Sequence, residues 1–264
     1  MQQALNLPSA LILSIVLLLV SIICNMALAK ESNAIPAESQ PQAITLAAEY
    51  SWPPFANQFG QGISHRLIQA AFKQSHIEVN SLVVPYSRAL MMAEKGAVDG
   101  VFNVTRENST EQRFIFGNTP LFIATASFYQ KKQKPILADN KWALPKGTVI
   151  GVIKSYEYGD EFPTLVKQQQ LNIVTVANQQ QLINLLLIGR IDAALMFDLV
   201  AKENLKKMGV DDEIIPAFAN HSSDIFLAFS KGNPQAQTLA TQLDAGLSQL
   251  KATGQYDKLL LVAD

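Results

Sequence analysis

One cysteine, Cys24, and three histidines, His65, His76 and His221, are the only thiol and imidazole groups in the chain. Scattered without ligand spacing, they cannot build a zinc or iron–sulfur site, and no cofactor is expected. No Ser-His-Asp order is present, so an acid–base enzyme built on this chain would have to work through carboxylates such as Asp198 or Glu161. Charge is balanced, Lys+Arg 21 against Asp+Glu 22, and no basic run is longer than Lys131-Lys132. That is too weak a positive field to neutralise several phosphates, which excludes nucleic acid as a partner. What remains is polar and aromatic. Asn103 and Thr105 fall at the end of a strand-like run, where ligands sit in open α/β sheets, unless they only make the strand-end turn. Asp198 precedes a helical stretch, as its cap or as a free carboxylate. Trp52 stands beside Pro53-Pro54 in a loop, a place where a tryptophan is hard to bury.

The elements that must position these residues follow from periodicity. The chain has 264 residues, 48% hydrophobic and 16% charged, enough for one large domain or two lobes with a proper core. Residues 43–48 form a short apolar run, 63–73 a helix with Ile63, Leu67, Ala70 and Ala71 on one face, 78–84 a strand, 87–95 a helix and 98–104 a strand. A second series repeats this plan: strand 148–153, helix 158–168, strand 171–176, helix 180–188, strand 191–197 and helix 199–208. Strands alternating with helices predict largely parallel sheets covered on both faces. Two β-prone segments, 121–130 and 224–230, could each carry the chain between the halves, with the tail from 234 to 261 folding as helices on the first. A lobe inserted within a lobe suits opening and closing on a ligand, and one continuous sheet across 43–230 would end that reading.

Residues 1–29 contain no Asp, Glu, Lys or Arg, and 10–24 is an apolar run broken only by Ser14 and Ser21. Fifteen helical residues reach about 22 Å, short of the roughly 30 Å hydrocarbon core. Ala27-Leu28-Ala29 supplies the small-x-small pattern of a signal-peptidase site. A cleaved secretory signal over 1–29 is expected, with an uncleaved anchor as the alternative, followed by a flexible polar lead-in over 30–42. Cleavage would remove Cys24 and leave a thiol-free protein suited to an oxidising compartment.

Along this frame AEYSWPPF (48–55), GQGIS (60–64), PYSRAL (85–90), GAVDGVFNVT (96–105), TEQR (110–113), GNTPL (117–121), GTVIGVI (147–153), GRIDAALMFD (189–198), FLAFSKGNP (226–234) and GQYDKL (254–259) stand in order. Together they resemble the bacterial extracellular solute-binding protein family 3, the periplasmic receptors typified by polar amino acid ABC transport systems. The resemblance implies an α/β type II periplasmic binding fold, two α/β lobes joined by two hinge strands, with lobe 1 over 43–126 and 227–264 and lobe 2 over 127–226. It implies a monomer that captures an amino acid or related small carboxylate and delivers it to a membrane ABC permease. A ligand-sensing module for a membrane signalling partner and a cyclohexadienyl dehydratase-like enzyme are the alternatives.

Residue by residue, the resemblance makes Arg113, in Thr110-Glu111-Gln112-Arg113, the grip on a ligand carboxylate. The stretch from Asp99 to Arg113 is about two residues longer than in typical amino acid binders, and the other reading is a solvated surface arginine. Asp198 resembles the aspartate that pairs with the ligand ammonium, and Asn103 and Thr105 resemble residues that bond the ligand. Ser155 and Tyr156 occupy the place of a hydroxyl pair that caps a helix and offers its amides to an anion. Tyr50, Trp52 and Tyr86 resemble aromatic walls, Phe55 is expected in the core, and Arg88 faces either the cleft or a surface partner. Asp192 is expected to hold backbone near the sheet edge.

Overall fold

The computed structural model describes residues 42–261. The targeting segment with Cys24 and nearly all of the polar lead-in lie outside the described residues. The first series runs β1 (Ala43–Glu49), the small hairpin β2 (Ser51–Trp52) and β3 (Ala56–Asn57), α1 (Ile63–Lys73), β4 (Glu78–Val84), α2 (Tyr86–Glu94), β5 (Gly100–Thr105), α3 (Asn108–Glu111) and β6 (Phe114–Phe116). β7 (Phe122–Lys131) leaves it. The second series is β8 (Val149–Ile153), α4 (Phe162–Gln168), β9 (Asn172–Val176), α5 (Gln179–Leu187), β10 (Ala193–Phe197) and α6 (Asp198–Met208). β11 (Ile214–Ser230) returns, and α7 (Ala236–Ala252) and α8 (Gln255–Leu260) finish the described chain.

β5 and β10 are buried at every position, as central strands covered on both faces must be. α1 turns Ile63, Leu67, Ile68, Ala71 and Phe72 inward. α7 meets it with Leu239, Leu243, Leu247 and Leu250. Gly246 permits the approach, since a Cβ there would lie 2.2 Å from the Ala71 carbonyl oxygen. α2 closes the other face of the first lobe with Ala89, Leu90 and Ala93 against Val101 and Val104. In the second lobe α5 and α6 bring Leu182, Ile183, Leu186, Ala201 and Leu205 onto Ile153, Ala194 and Met196.

The repeat seen in sequence has a physical basis. In the first lobe the Asp99 carboxylate accepts from Thr45 N at 2.7 Å while Asp99 N donates to Thr45 O at 2.8 Å. In the second, Asp192 accepts from Val149 N at 3.0 Å and its own N donates to Val149 O at 2.8 Å. Each aspartate thus staples the start of one strand to the turn that leads into the next.

β4, β1 and β5 pair in parallel, as do β10, β8 and β9. Between the sets, β7 and β11 run antiparallel to each other from Ile214 opposite Lys131 to Ile225 opposite Phe122. The order β4-β1-β5-β11-β7-β10-β8-β9 is one continuous path of hydrogen bonds, the outcome expected to end the two-lobe reading. That criterion is corrected, because the two crossing strands themselves carry the hydrogen bonds from one parallel set to the other. The cause is the length of β11, which begins at Ile214 rather than 224 and so pairs with β7 in the second lobe and with β5 and β6 in the first. Every strand pairing between the lobes among the described residues involves β7 or β11, and register shifts between Pro216 and Phe218 and between Ala219 and His221 bend the crossing. Two α/β lobes joined by two crossing strands are what this topology amounts to.

Candidate ligand-binding cleft

Parallel strands aim their carboxyl ends at the gap between the lobes, and the residues just past those ends meet there. Glu49 closes β1, Tyr86 opens α2, and Asn103 and Thr105 lie on β5. From the other side come Tyr156 and Glu157 beyond β8, and Phe197 at the end of β10. With Trp52 these residues enclose about 10 Å³, room for about one water. The walls are in contact. Tyr86 meets Tyr156 edge-on with ring centroids 5.1 Å apart, and Trp52 meets Phe197 likewise at 5.2 Å.

Two hydrogen bonds cross the gap in opposite senses. The Tyr156 hydroxyl of the second lobe donates to Glu49 Oε2 of the first at 2.6 Å. The Tyr86 hydroxyl of the first donates to Glu157 Oε2 of the second at 2.7 Å. Farther out, Gly159 N donates to Glu107 Oε2 at 3.2 Å and Asn108 Nδ2 to Asp160 Oδ2 at 2.9 Å. Burial pushes both Glu49 and Glu157 up to about 8; their tyrosine bonds oppose the rise, while Glu157 adds to it at Glu49 and Glu107 adds to it at Glu157. Neither carboxyl has an ion-pair partner among the described residues.

Two donors in the same enclosure are left over. Ser64 Oγ donates to Asn103 Oδ1 at 2.5 Å, which leaves the Nδ2 end buried without a partner. Trp52 Nε1 is buried and unpartnered as well. Asn103 also holds a left-handed φ of 66° on a strand, a cost that non-glycine residues bear mainly at functional sites.

Of the residues singled out in sequence, the structure brings together Trp52, Tyr86, Asn103, Thr105 and Tyr156. Trp52 differs from its expectation in being 1% exposed, packed between Phe55, Phe122 and Phe197. Phe55 is in the core, stacked on Phe122 at 4.2 Å. Tyr50 lines a neighbouring hollow of about 660 Å³ between the β2–β3 hairpin and α6. Arg113 does not line the enclosure: it pairs with Glu94 at the end of α2 at 2.9 Å and lies 5.1 Å from the Phe114 ring centre. Asp198 is in the first turn of α6 and accepts from the Tyr129 hydroxyl of its own lobe at 3.0 Å, an acceptor already engaged. Arg88 is exposed.

The helix-cap reading of Ser155 is corrected. α4 starts only at Phe162, after an extended stretch, and Ser155 is exposed with φ 65°, so no helix amides gather there. Asp192 holds Val149 N, as expected of it. Glu161, weighed as a general acid, is exposed and paired with Lys141 at 2.9 Å. Sequence reasoning missed Glu49, Glu157 and Phe197. The available cue to their place, though not to their burial, was a glutamate beside aromatic residues, present in AEYSW and again in SYEYG.

Among the described residues no helix is long and apolar enough to cross a membrane. None of the curated protein sequences matches the chain. Solved structures do. An ancestral arginine-binding protein bound to arginine superposes with TM-score 0.72 at 20% identity, covering 83% of this chain and 97% of that one. A histidine kinase sensor domain similar to periplasmic binding proteins gives TM-score 0.73 at 18% identity, covering 83% and 95%. The amino acid ABC transporter substrate-binding protein AbpA of Streptococcus pneumoniae, bound to L-arginine, gives 0.67 at 20%, covering 83% and 92%. At these identities the likeness establishes the fold, type II periplasmic binding. The family model of the bacterial extracellular solute-binding proteins, family 3, matches residues 44–261, and the chain belongs to that family.

Proposed function

We propose that the protein is a periplasmic solute receptor that captures a small polar solute, an amino acid or a related molecule, between its lobes. Closure brings the lobes together about β7 and β11, and the loaded receptor docks on a membrane partner, an ABC permease or a sensor. With lobe boundaries near 126 and 226 the bends would fall within those two strands, a reading that the register shift between Phe226 and Leu227 supports. The observation that carries this reading is the reciprocal pair of buried cross-lobe bonds, Tyr156 to Glu49 and Tyr86 to Glu157, in a gap spanned also by the outer bonds of Glu107 and Asp160 and by the two crossing strands. A solute that replaces these bonds has differential contacts with the apposed and separated lobes, which is what a ligand-driven shift requires. The arginine-bound and transporter-derived neighbours support small-solute capture, and the sensor-domain neighbour keeps a signalling partner in view.

The test is a distance across the gap. With spin labels or fluorophores at exposed Arg88 and Lys154, adding a bound solute should shift the distribution between the lobes. An unchanged distribution for every solute that binds would end the closure reading.

A further inference from the structure

We infer that the inner cleft binds a small organic cation, an amine or guanidine without an α-carboxylate clamp, through Glu49 and Glu157 inside an aromatic enclosure. This deepens the solute-receptor reading and rests on it. A zwitterionic amino acid in a closed gap needs a cation for its carboxylate, and an unpaired buried charge is costly. Among the residues that line the enclosure there is none: two carboxyls, two tyrosines, a tryptophan, a phenylalanine, an asparagine and a threonine. The arginine placed to serve, Arg113, is engaged by Glu94 outside.

The inventory fits the opposite charge. Two carboxyl groups, one from each lobe, have tyrosine hydroxyls as their only side-chain donors among the described residues, neutral donors that a charged ammonium or guanidinium would outcompete. Trp52, Tyr86, Tyr156 and Phe197 supply ring faces and edges around them, the surroundings in which a desolvated organic cation gains further attraction. The orphaned Trp52 Nε1 and Asn103 Nδ2 point independently to an occupant. Both are donors, so they ask for an acceptor: a hydroxyl or carbonyl of the ligand, or a water carried in with it.

Protons report the event. The groups that act on Glu49 are Tyr156 and Glu157, and those that act on Glu157 are Tyr86, Glu107 and Arg113. Burial holds the two carboxyls largely protonated at neutral pH, so a cation that pairs with them must displace protons.

The test is titration calorimetry with matched compounds: agmatine against arginine, which differ by the α-carboxylate, with putrescine as the plain diamine and glutamate as the acidic control. Agmatine is expected to bind at least tenfold more tightly than arginine, and glutamate not at all. Heats measured at pH 7 in buffers of different ionisation enthalpy should show net proton release to the buffer. Glu49→Gln and Glu157→Gln, which keep shape and hydrogen bonding, should each weaken agmatine by about thirty-fold or more with the unfolding transition retained. Arginine binding as tightly as agmatine, amine binding unchanged in both variants, or no binding by either amine would overturn the cation. An amino acid that closes the lobes where no amine does would overturn it and leave the receptor standing. Amine binding with no change in inter-lobe distance would retain the cation and sink the closure.

Discussion

The two lobes share a scaffold and differ at their tips. Gly96-Ala97-Val98-Asp99 and Gly189-Arg190-Ile191-Asp192 are the same device, a glycine at φ 71° followed three residues later by a stapling aspartate. Beyond the strand ends the likeness stops. The first lobe collects its site from four places, Glu49 at the end of β1, Trp52 in β2, Tyr86 at the head of α2, and Asn103 and Thr105 on β5. The second delivers Tyr156 and Glu157 side by side from one loop, with Phe197 from the end of β10. The first lobe is also braced by the chain's end, where Arg66 holds the Leu259 and Leu261 carbonyls and the Tyr256 hydroxyl donates to Leu121 O. A repeated scaffold sets where a site falls, and the unrepeated residues decide what it binds.

The largest effect expected of this comparison is on pH dependence, because each lobe contributes one raised glutamate and one lowered histidine, groups of opposite sign. Glu49 and Glu157, raised from 4.5 to about 8, favour the fold with apposed lobes fully below pH 4.5 and lose that contribution as pH rises to about 8. His65, beside Ser81 in the first lobe, and His221, beside Asn220, Lys141 and Glu161, are lowered from 6.5 to about 4 by burial. Their contribution is present above 6.5 and is lost as pH falls to about 4. Between pH 4.5 and 6.5 the two pairs offset each other, so urea melts across pH 4–9 should show a plateau up to about 6.5 and then an alkaline arm on the order of 2 to 4 kcal/mol. In a Glu49→Gln, Glu157→Gln double variant the alkaline arm should flatten and an acid arm, set by the two histidines, should emerge. An alkaline arm that survives unchanged would locate the titration elsewhere.

A smaller effect separates the two staples. Asp99 has a second anchor, since its Oδ1 accepts from Asn233 Nδ2 at 2.7 Å and so ties the strand turn to the segment leading into α7. Asp192's second partner is Lys134 at 3.2 Å, a pair 70% and 37% exposed, which is worth little. Asp99→Ala should cost about 2 to 3 kcal/mol and Asp192→Ala about 1 to 2 kcal/mol in urea-melt stability. Equal losses would mean that the Asn233 anchor adds nothing.

The fold was legible because its signals are local and repeated. α1 falls at 63–73 as its apolar spacing predicts, and the connector 121–130 differs from β7 by one residue at each end. β11 was read short because Pro216, Asn220 and His221 interrupt its apolar pattern, and only pairing with β7 makes those residues strand. The site was less legible. Trp52, Tyr86, Asn103, Thr105 and Tyr156 were found because they stand at strand ends or in motifs. Glu49 and Glu157 were passed over because an isolated glutamate reads as a solvated charge, and their burial comes from the opposite lobe, which no local pattern encodes.

The smallest effect compares the two crossing bonds themselves. Glu49 is 2% exposed and Glu157 8%, so the carboxyls that the tyrosines would abandon have unequal access to water. Removing one hydroxyl leaves a buried acceptor unsatisfied, a penalty that water relieves where it can enter. Tyr156→Phe strands Glu49, the more deeply buried of the two, without its one side-chain donor. Tyr86→Phe leaves Glu157 with a bond to its own backbone. The first variant should lose about 1.5 kcal/mol in a thermal or urea melt at pH 6 and the second about half as much. Both should loosen the lobes and so bring amines in faster, the first by the larger factor, as read by stopped-flow tryptophan quenching. A larger loss from Tyr86→Phe would reverse the ranking and make the head of α2, rather than the second lobe's loop, the stronger latch.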